Sequence, residues 1–383
     1  MENRPRKSEV RRFAERMGLF LSPFILLWSV ETFILPVNFF TFRVWEALLV
    51  KRYLPDLTLP PDDTLNPVAL TGPFYPNMHI ITDEVGGLAQ GTPEAVKKRV
   101  EWWTDRYGYR KRDTSARPEV VIVGDSFTAG MCLTQSDTLA VVLQGLLNRE
   151  VYPLATANIN NFLRIRRFRE SPPKVVVLAV AEGNFSFIFR AIEPVKTESV
   201  KWWSPLESLL GWINGHKHNR VFQSFLVFVN RATHPNMYEY VMARLWKAKP
   251  DPMIRRGAMI YRAVPRDIDG PIGENPERTI WNIIGYRNVL RTRGIRLIVM
   301  PIPSKESVHY REALEGKKPL FLDRLNRGLR ERGIEVVDLW NPFMKAHETL
   351  GMPLYFPDDT HWNPPAVRIA ANLLSQAIRK GGY

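Results

Sequence analysis

The sequence is poor in cysteine, since Cys132 is the only one among 383 residues. A single cysteine excludes a disulfide within the chain and any zinc cluster built from several cysteines. The cysteine content does not indicate in which cellular compartment the protein works. The sequence also lacks a helix-turn-helix, zinc-finger or RNA-binding signature, which argues against a nucleic-acid partner.

Acidic residues are fewer than basic ones, with 39 Asp and Glu against 53 Lys and Arg, and the formal net charge is +14. This imbalance favours an anionic partner such as a membrane surface or an acidic polymer. The hydrophobic fraction of 45% is ordinary for a folded protein. We therefore expect one large domain with additional elements.

The N-terminus combines a basic segment, residues 1–17, with an apolar stretch from Gly18 to Phe42. The stretch is long enough to span a bilayer, and the basic flank favours the cytoplasmic side. Glu31, Pro23 and Pro36 weaken it. We expect an uncleaved single-pass anchor, with a cleaved signal peptide and a helix packed on the protein's own core as alternatives.

From Pro118 onward, apolar runs rich in β-branched residues alternate with helical segments. Such continuous apolar runs predict a parallel sheet with helices on both faces, an α/β three-layer sandwich. Two of the helical segments end in glycine, at Gly294 and Gly333, directly before an apolar run. The five predicted strands are Val120–Val123, Val151–Leu154, Lys174–Ala181, Ile295–Met300 and Glu335–Leu339.

Three regions follow from these patterns. Residues 1–42 form the basic N-terminus and anchor, 43–115 a linker and lead-in, and 116–383 the α/β domain. The domain is interrupted by a helical insertion over 185–275, which we interpret as a candidate cap over the site.

Three of the predicted strand ends carry polar residues suited to acyl chemistry. They are Gly124-Asp125-Ser126, Glu182-Gly183-Asn184 and the segment PDDTHWNP, Pro357–Pro364. Ligands of a parallel sheet lie beyond the carboxyl ends of its strands. A serine becomes nucleophilic when an imidazole takes its proton and a carboxylate orients that imidazole. We therefore predict Ser126 as nucleophile and His361 as base. The Ser126 N–H and the Asn184 amide are the expected oxyanion donors, and Asp125 is expected to brace the loop.

These blocks, GDSFTAG, AEGNF and DDTHWN, resemble those of the SGNH/GDSL hydrolase superfamily. With RYGYR ahead of the first strand and the basic N-terminus, they resemble the SGNH-like alginate (exopolysaccharide) O-acetyltransferase proteins. The resemblance implies a flavodoxin-like fold with a five-stranded parallel sheet. It also implies an extracytoplasmic, periplasmic serine enzyme beside a membrane-bound O-acyltransferase that supplies the acetyl group. The acceptor is an exported polysaccharide, with an anionic one as a candidate, and no metal or other cofactor is implied.

The sequence departs from the family pattern in its second block. The stretch VYPLATANINN has no glycine where the superfamily uses one in the oxyanion hole, and Ala157 or Asn158 stands there by position. The triad acid is also open, since Asp358 lies three residues before His361 and Asp359 lies two before it. The acetyltransferase-like subgroup favours Asp359.

Other residues have both a functional and an ordinary interpretation. Lys305, at a predicted strand end, is a candidate for substrate contact. The basic run Arg164–Arg169 is either a solvated helix face or a track for an anionic polysaccharide. Trp102–Trp103 either stacks on sugar rings or lies in the core. His216 and His218 have no acidic or cysteine partner nearby, so they favour a polar loop over a metal site.

The sequence thus predicts an SGNH-type O-acetyltransferase. An esterase with the same triad is the first alternative, because only the acceptor, water or sugar, differs. A non-catalytic polysaccharide-assembly subunit that retains the fold is the second.

Overall fold

The computed structural model describes residues 6–33, 79–89, 92–105, 109–112, 117–155, 157–185, 253–262 and 276–382. The chain divides into two compact units, Met1–Pro55 with His216–Lys249 and Asp56–Gly215 with Pro250–Tyr383. The described part of the first unit is a single helix, α1 (Arg6–Phe33). All other described residues belong to the second unit.

Helix α1 does not coincide with the predicted anchor. It begins among the basic residues, and its first half carries Arg11, Arg12, Glu15 and Arg16. Among the described residues, no helix combines the length and the apolar character that crossing a membrane requires. The anchor expected from Gly18 to Phe42 therefore finds no support, because charged residues share the helix with the apolar ones. Residues 34–42 lie outside the described ranges.

A five-stranded parallel sheet forms the centre of the second unit. Its strands are β3 (Val120–Gly124), β4 (Val151–Ala155), β5 (Val175–Ala181), β8 (Arg296–Ile302) and β9 (Glu335–Val336). Their order across the sheet is β4-β3-β5-β8-β9. Numbered along the chain within the sheet, this order is 2-1-3-4-5, the flavodoxin-like arrangement. The predicted α/β fold with a five-stranded parallel sheet is thus confirmed.

Burial explains why these segments form a sheet covered on both faces. Every residue of β3, β4 and β5 is buried, so successive side chains point into apolar layers on both sides. Pro153 is accommodated because β4 lies at an edge of the sheet. The central strands are therefore continuous apolar runs, as parallel strands are.

Helices cover the sheet. The longer ones are α3 (Leu139–Leu147), α6 (Glu277–Thr292), α9 (Phe321–Glu331), α10 (Trp340–Leu350) and α11 (Pro364–Lys380). Helix α11 packs on α3, while α6 packs on α9 and β8. Gly294 and Gly333 follow α6 and α9 with φ of 70° and 69°, the left-handed conformation expected of C-terminal glycines. The shorter helices are α2 (Ser126–Ala129), α4 (Ile159–Arg164), α5 (Arg166–Glu170), α7 (Lys305–Val308) and α8 (Tyr310–Ala313).

Two antiparallel hairpins were not evident from the sequence. Strands β1 (His79–Glu84) and β2 (Lys98–Trp103) pair within the predicted lead-in, and β6 (Met253–Arg256) pairs with β7 (Met259–Arg262). Charged residues interrupt their alternation, so their apolar pattern is weak. The remainder of the predicted insertion, residues 186–252 and 263–275, lies outside the described ranges, and its capping role stays a prediction.

Strand β9 is shorter than predicted. It ends at Val336 rather than Leu339 because the chain turns there into α10. The Asp338 side chain accepts a hydrogen bond from the Trp340 N–H at 2.9 Å, which favours the helix start over a longer strand.

Candidate active site

Ser126 lies just beyond the carboxyl end of the central strand β3. The strand ends at Gly124, where a Cβ would clash with the Ala179 carbonyl oxygen and the Thr128 side chain. Asp125 then caps α2, its Oδ1 accepting the Phe127 N–H at 3.0 Å. This tight turn leaves Ser126, the first residue of α2, partly exposed at the rim of the sheet.

Asp125 connects the ends of β3 and β5. Its Oδ2 accepts hydrogen bonds from the Ala181 N–H and the Asn184 Nδ2, both at 2.8 Å. Burial raises the pKa of this carboxyl group, against the lowering effect of the hydrogen bonds from Asn184, Ala181 and Phe127. Asp125 therefore braces the loop. Because it directly precedes Ser126, its hydrogen bond to the Asn184 side chain also keeps that amide near the serine.

His361 and Asp359 reach Ser126 from the loop before α11. His361 Nε2 lies 2.8 Å from Ser126 Oγ. On the other side of the ring, His361 Nδ1 is in a short hydrogen bond with Asp359 Oδ1, which also accepts the His361 N–H at 2.7 Å. The structure thus brings a serine, a histidine and a carboxylate into one continuous hydrogen-bonded chain.

Asp359 is held in its ionised form. Burial by itself would raise its pKa, but the hydrogen bond and charge of His361 and the N–H groups of Gly87 and His361 outweigh it. The net effect lowers the Asp359 pKa to about 2. The Gly87 N–H donates to Asp359 Oδ2 at 2.5 Å, so the hairpin loop after β1 fixes the carboxylate that faces His361.

Asp358 points away from His361. Its carboxylate accepts the N–H groups of Gly86 at 2.9 Å and Val96 at 3.0 Å, and it pairs with Lys98 Nζ at 2.7 Å. Burial would raise the Asp358 pKa, but Lys98 and these N–H groups outweigh it and lower the pKa. Of the two aspartates left open by the sequence, Asp359 contacts the imidazole and Asp358 joins the loop to the β1–β2 hairpin.

The structure places Lys305, the candidate for substrate contact, in the interior rather than at the surface. The residue is fully buried, and its Nζ donates to the carbonyl oxygens of Phe356, Pro357 and Asp359 at 2.8, 2.9 and 3.1 Å. Burial lowers its pKa to about 8. A strand-end lysine here stabilises the loop that carries Asp359, because the loop presents three carbonyls towards the sheet.

In the second block, the N–H groups of Ala157 and Asn158, the two residues at the expected position, both have other partners. Asn158 is the N-cap of α4, with its side chain accepting the Asn161 N–H and its own N–H donating to Asn161 Oδ1, both at 3.0 Å. The Ala157 N–H donates to the Gly124 carbonyl at 2.9 Å. The oxyanion role expected of Asn158 is therefore not supported, because its N–H and side-chain oxygen are occupied by helix capping.

Arg110, the last residue of RYGYR, supports the segment that follows Ser126. It is buried, lies over the Trp102 ring at 3.5 Å, and donates to the carbonyls of Ala129, Gly130 and Leu133. The motif entered the prediction only as part of the family resemblance. The apolar pattern of the sequence did not predict that this arginine is buried or that it contacts the C-terminal end of α2.

Two surface interpretations are corrected in part. Arg167 of the basic run lies over the rings of Tyr152 at 4.3 Å and Phe168 at 4.6 Å rather than along an open face. Trp102 is fully buried, and Trp103 stacks against His79 with centroids 3.8 Å apart. His216 and His218 lie outside the described residues.

Residues 272–383, less than a third of the chain, match the sequence family described as "SGNH hydrolase-like domain, acetyltransferase AlgX". The matched region contains Asp359 and His361 but not Ser126. The predicted resemblance to the SGNH-like acetyltransferase proteins is confirmed over this region. No curated protein sequence matches the chain.

Solved structures similar to the chain are distant. A protein described as lipolytic, of the G-D-S-L family from Desulfitobacterium hafniense DCB-2, is 13% identical, with 67% of this chain and 98% of that chain covered and a TM-score of 0.33. A GDSL-like lipase from Bacteroides thetaiotaomicron VPI-5482 is 14% identical, with 68% and 88% covered and a TM-score of 0.31. Likenesses of this size add no weight to the fold, which follows from the sheet order itself.

Proposed function

We propose that the protein is a serine acyltransferase that moves an acetyl group through Ser126 to a hydroxyl of an exported polysaccharide. The observation that carries the proposal is the hydrogen-bonded chain Ser126–His361–Asp359. Each neighbour in this chain has the chemistry that nucleophilic acyl transfer requires.

In the first half-reaction, Ser126 Oγ attacks the carbonyl carbon of an acetyl ester or thioester. Its proton passes to His361 Nε2 as the new C–O bond forms. Asp359 fixes the His361 tautomer and stabilises the imidazolium, and its low pKa keeps it ionised throughout. When the bond to the leaving group breaks, His361 returns the proton to the departing atom, and Ser126 carries the acetyl group.

The negative charge that develops on the carbonyl oxygen needs fixed donors. We assign this role to the backbone N–H of Ser126 and to the Asn184 amide. Asp125 accepts one N–H of that amide, so the orientation of the Asn184 side chain is fixed before substrate binds. The site works with these two donors, because the Ala157 and Asn158 N–H groups serve the backbone and the helix cap.

In the second half-reaction, a sugar hydroxyl loses its proton to His361 Nε2 and attacks the acetyl carbon. The bond to Ser126 Oγ breaks, and His361 restores the serine proton. The name of the matched family supports this acceptor, and the net charge of +14 suits an anionic polysaccharide. We further propose that the protein works outside the cytoplasm, with a membrane-bound O-acyltransferase supplying the acetyl group.

Hydrolysis of an acyl ester is the second candidate function. Ser126 is partly exposed and the His361 side chain is 16% exposed, so water can approach the acyl group from the same side as a sugar. An esterase would use the same residues in the same order. The two functions differ only in which hydroxyl attacks the acetylated Ser126.

The test is turnover of a chromogenic acetyl ester by the full-length protein, with and without an oligosaccharide acceptor. Ser126→Ala is compared with Ser136→Ala, a matched change at an exposed serine. Acetate and acetylated sugar are followed by mass spectrometry. We expect turnover to be lost in Ser126→Ala and kept in Ser136→Ala, with acetyl appearing on the sugar.

Acetate alone, at every acceptor concentration, would replace the transferase with the esterase. Equal turnover by wild type and Ser126→Ala would refute Ser126 as nucleophile and favour the non-catalytic assembly subunit.

A further inference from the structure

A second cluster of functional groups is formed by residues of the segment after β8 together with a residue of α10. His309, Glu312 and His347 each offer one ligand atom, and these atoms all lie within 4.8 Å of one another. The imidazole rings of His309 and His347 are 4.0 Å apart between centroids. Glu312 and His347 line a surface pocket of about 270 Å³. The cluster therefore combines a fixed position with access from solvent.

His309 carries the observation that singles this cluster out. The residue is 5% exposed, and no described residue forms a hydrogen bond with its buried Nε2. A buried polar nitrogen without a partner is uncommon because it loses its hydration and gains nothing in return. Its ring neighbour is His347, whose side chain opens onto the pocket.

The other ring nitrogen of His309 is in contact with a tyrosine. His309 Nδ1 lies 3.2 Å from the buried Tyr261 hydroxyl. In the tautomer that carries its proton on Nδ1, Nδ1 donates to Tyr261 and the lone pair lies on Nε2. A neutral imidazole with one nitrogen held by a hydrogen bond and the other bare is the form that binds a metal.

The backbone around the cluster is regular. The His309 carbonyl accepts the N–H groups of Glu312 at 3.0 Å and Ala313 at 2.8 Å, which places His309 and Glu312 on one turn. His347 lies in the last turn of α10. Glu348, which also lines the pocket, is paired with Arg311 at 3.1 Å. The two imidazoles thus have settled positions, and exposed Glu312 is the ligand free to adjust.

We propose that His309, Glu312 and His347 form a binding site for a divalent first-row transition metal, with Zn²⁺ as the best-suited ion. Two imidazole nitrogens and one carboxylate suit Zn²⁺ in tetrahedral sites whose fourth position is open to water. The absence of a cysteine ligand disfavours the softer Cu⁺, and the imidazoles disfavour Ca²⁺ and Mg²⁺. The site goes beyond the proposed acyl transfer and does not depend on it.

The position of the cluster suggests what the ion does. His309 follows α7, which begins with the buried Lys305, and His347 precedes the loop that carries Asp359 and His361. An ion between them would join the segment that contains Lys305 to the end of α10, which leads into this loop. It therefore acts on the stability of the fold rather than on bond making at Ser126.

The test uses the full-length protein, stripped with a chelator and titrated with Co²⁺ as a spectroscopic probe for the Zn²⁺ site. We expect one Co²⁺ per chain, with visible absorption typical of low coordination, and displacement by Zn²⁺. His347→Ala and Glu312→Gln are expected to weaken binding at least about tenfold. Both residues are accessible, so these variants test the site even if the buried His309→Ala fails to fold.

The matched controls are His79→Ala, an exposed histidine in β1, and the double variant His216→Ala, His218→Ala. Both are expected to bind Co²⁺ like wild type. As a second measurement, Zn²⁺ should raise the unfolding temperature of wild type and not that of His347→Ala. Unchanged binding in both His347→Ala and Glu312→Gln, loss of binding in the 216/218 variant, or no binding with Co²⁺ in excess would each overturn the proposal.

Discussion

The two halves of the candidate active site are supported in different ways. Ser126 and Asn184 follow buried strands of the sheet, and one carboxylate, Asp125, ties them together. His361 and Asp359 lie on a loop, residues 351–363, whose position depends on remote groups. The difference indicates that Ser126 is positioned by the sheet, whereas His361 and Asp359 are positioned by side chains from elsewhere in the chain.

The loop has two supports. Lys305 donates to three of its carbonyls from the sheet side. The β1–β2 hairpin also contacts the loop: the Gly87 N–H donates to Asp359, and Lys98 forms an ion pair with Asp358. Adjacent aspartates thus have separate tasks, one towards His361 and one towards the hairpin.

The largest expected effect separates these two tasks. Asp359→Asn removes the carboxylate that orients His361, so we expect kcat to fall by about 10⁴-fold, as when a triad aspartate becomes an amide. Asp358→Asn is the matched change one residue away. It is expected to lower kcat less than about tenfold and the free energy of unfolding by about 1–3 kcal/mol. Steady-state kinetics and urea unfolding measure both, and an equal loss of kcat in the two variants would contradict the assignment.

The support from Lys305 is tested by Lys305→Met, which keeps the length of the side chain but removes its donors. Three buried carbonyls lose their partner, so we expect the free energy of unfolding to fall by about 2–4 kcal/mol. Displacement of His361 is expected to lower kcat by up to about 100-fold. Lys318→Met, at a side chain that is 48% exposed, should change stability by less than about 0.5 kcal/mol. Wild-type kcat and stability in Lys305→Met would show that the loop keeps its conformation without Lys305.

Acid sensitivity is the third way to probe the loop. The Asp359 pKa is about 2 in the folded protein, below its ordinary value of 3.8, so the unfolded chain binds this proton first. The resulting stability is present above about pH 4 and is lost as the pH falls towards 2, by about 2 kcal/mol. Urea unfolding across this range should show a shallower pH dependence in Asp359→Asn. An unchanged slope in that variant would contradict the low pKa.

The smallest expected effect concerns the sheet side of the site. Asn158→Ala removes the N-cap of α4 and should lower the free energy of unfolding by about 1 kcal/mol. It should leave kcat within about twofold of wild type, because Asn158 caps α4 and does not stabilise the oxyanion. A loss of kcat of about 100-fold would instead return Asn158 to the oxyanion hole.

Much of the sheet could be predicted because its strands are continuous apolar runs. VVIV and VVVLAVA read as buried strands, and the polar residues after them, Ser126 and Asn184, follow at once. The helix-ending glycines Gly294 and Gly333 were equally plain. The β1–β2 hairpin could not be predicted in this way. Its strands, HIITDE and KRVEWW, contain charged residues next to apolar or aromatic ones, so neither is a continuous apolar run.

The metal-site candidate shows the same limit. His216 and His218 are neighbours in the sequence and drew attention for that reason. His309 and His347 are far apart along the chain, and only the packing of α10 against α7 brings them together. Burial of His309 Nε2, which carries the proposal, has no signal in the sequence.

The sequence by itself determined the class of the fold, the residues at the strand ends and the hydroxyl, imidazole and carboxylate types needed for acyl transfer. Apolar periodicity and local turn chemistry carry that information over short distances. Only the tertiary structure decided that Asp359 rather than Asp358 faces His361, that Lys305 supports the loop, and that Asn158 caps a helix. Those outcomes depend on which buried polar groups meet across distant segments, where every donor and acceptor withdrawn from water needs a partner.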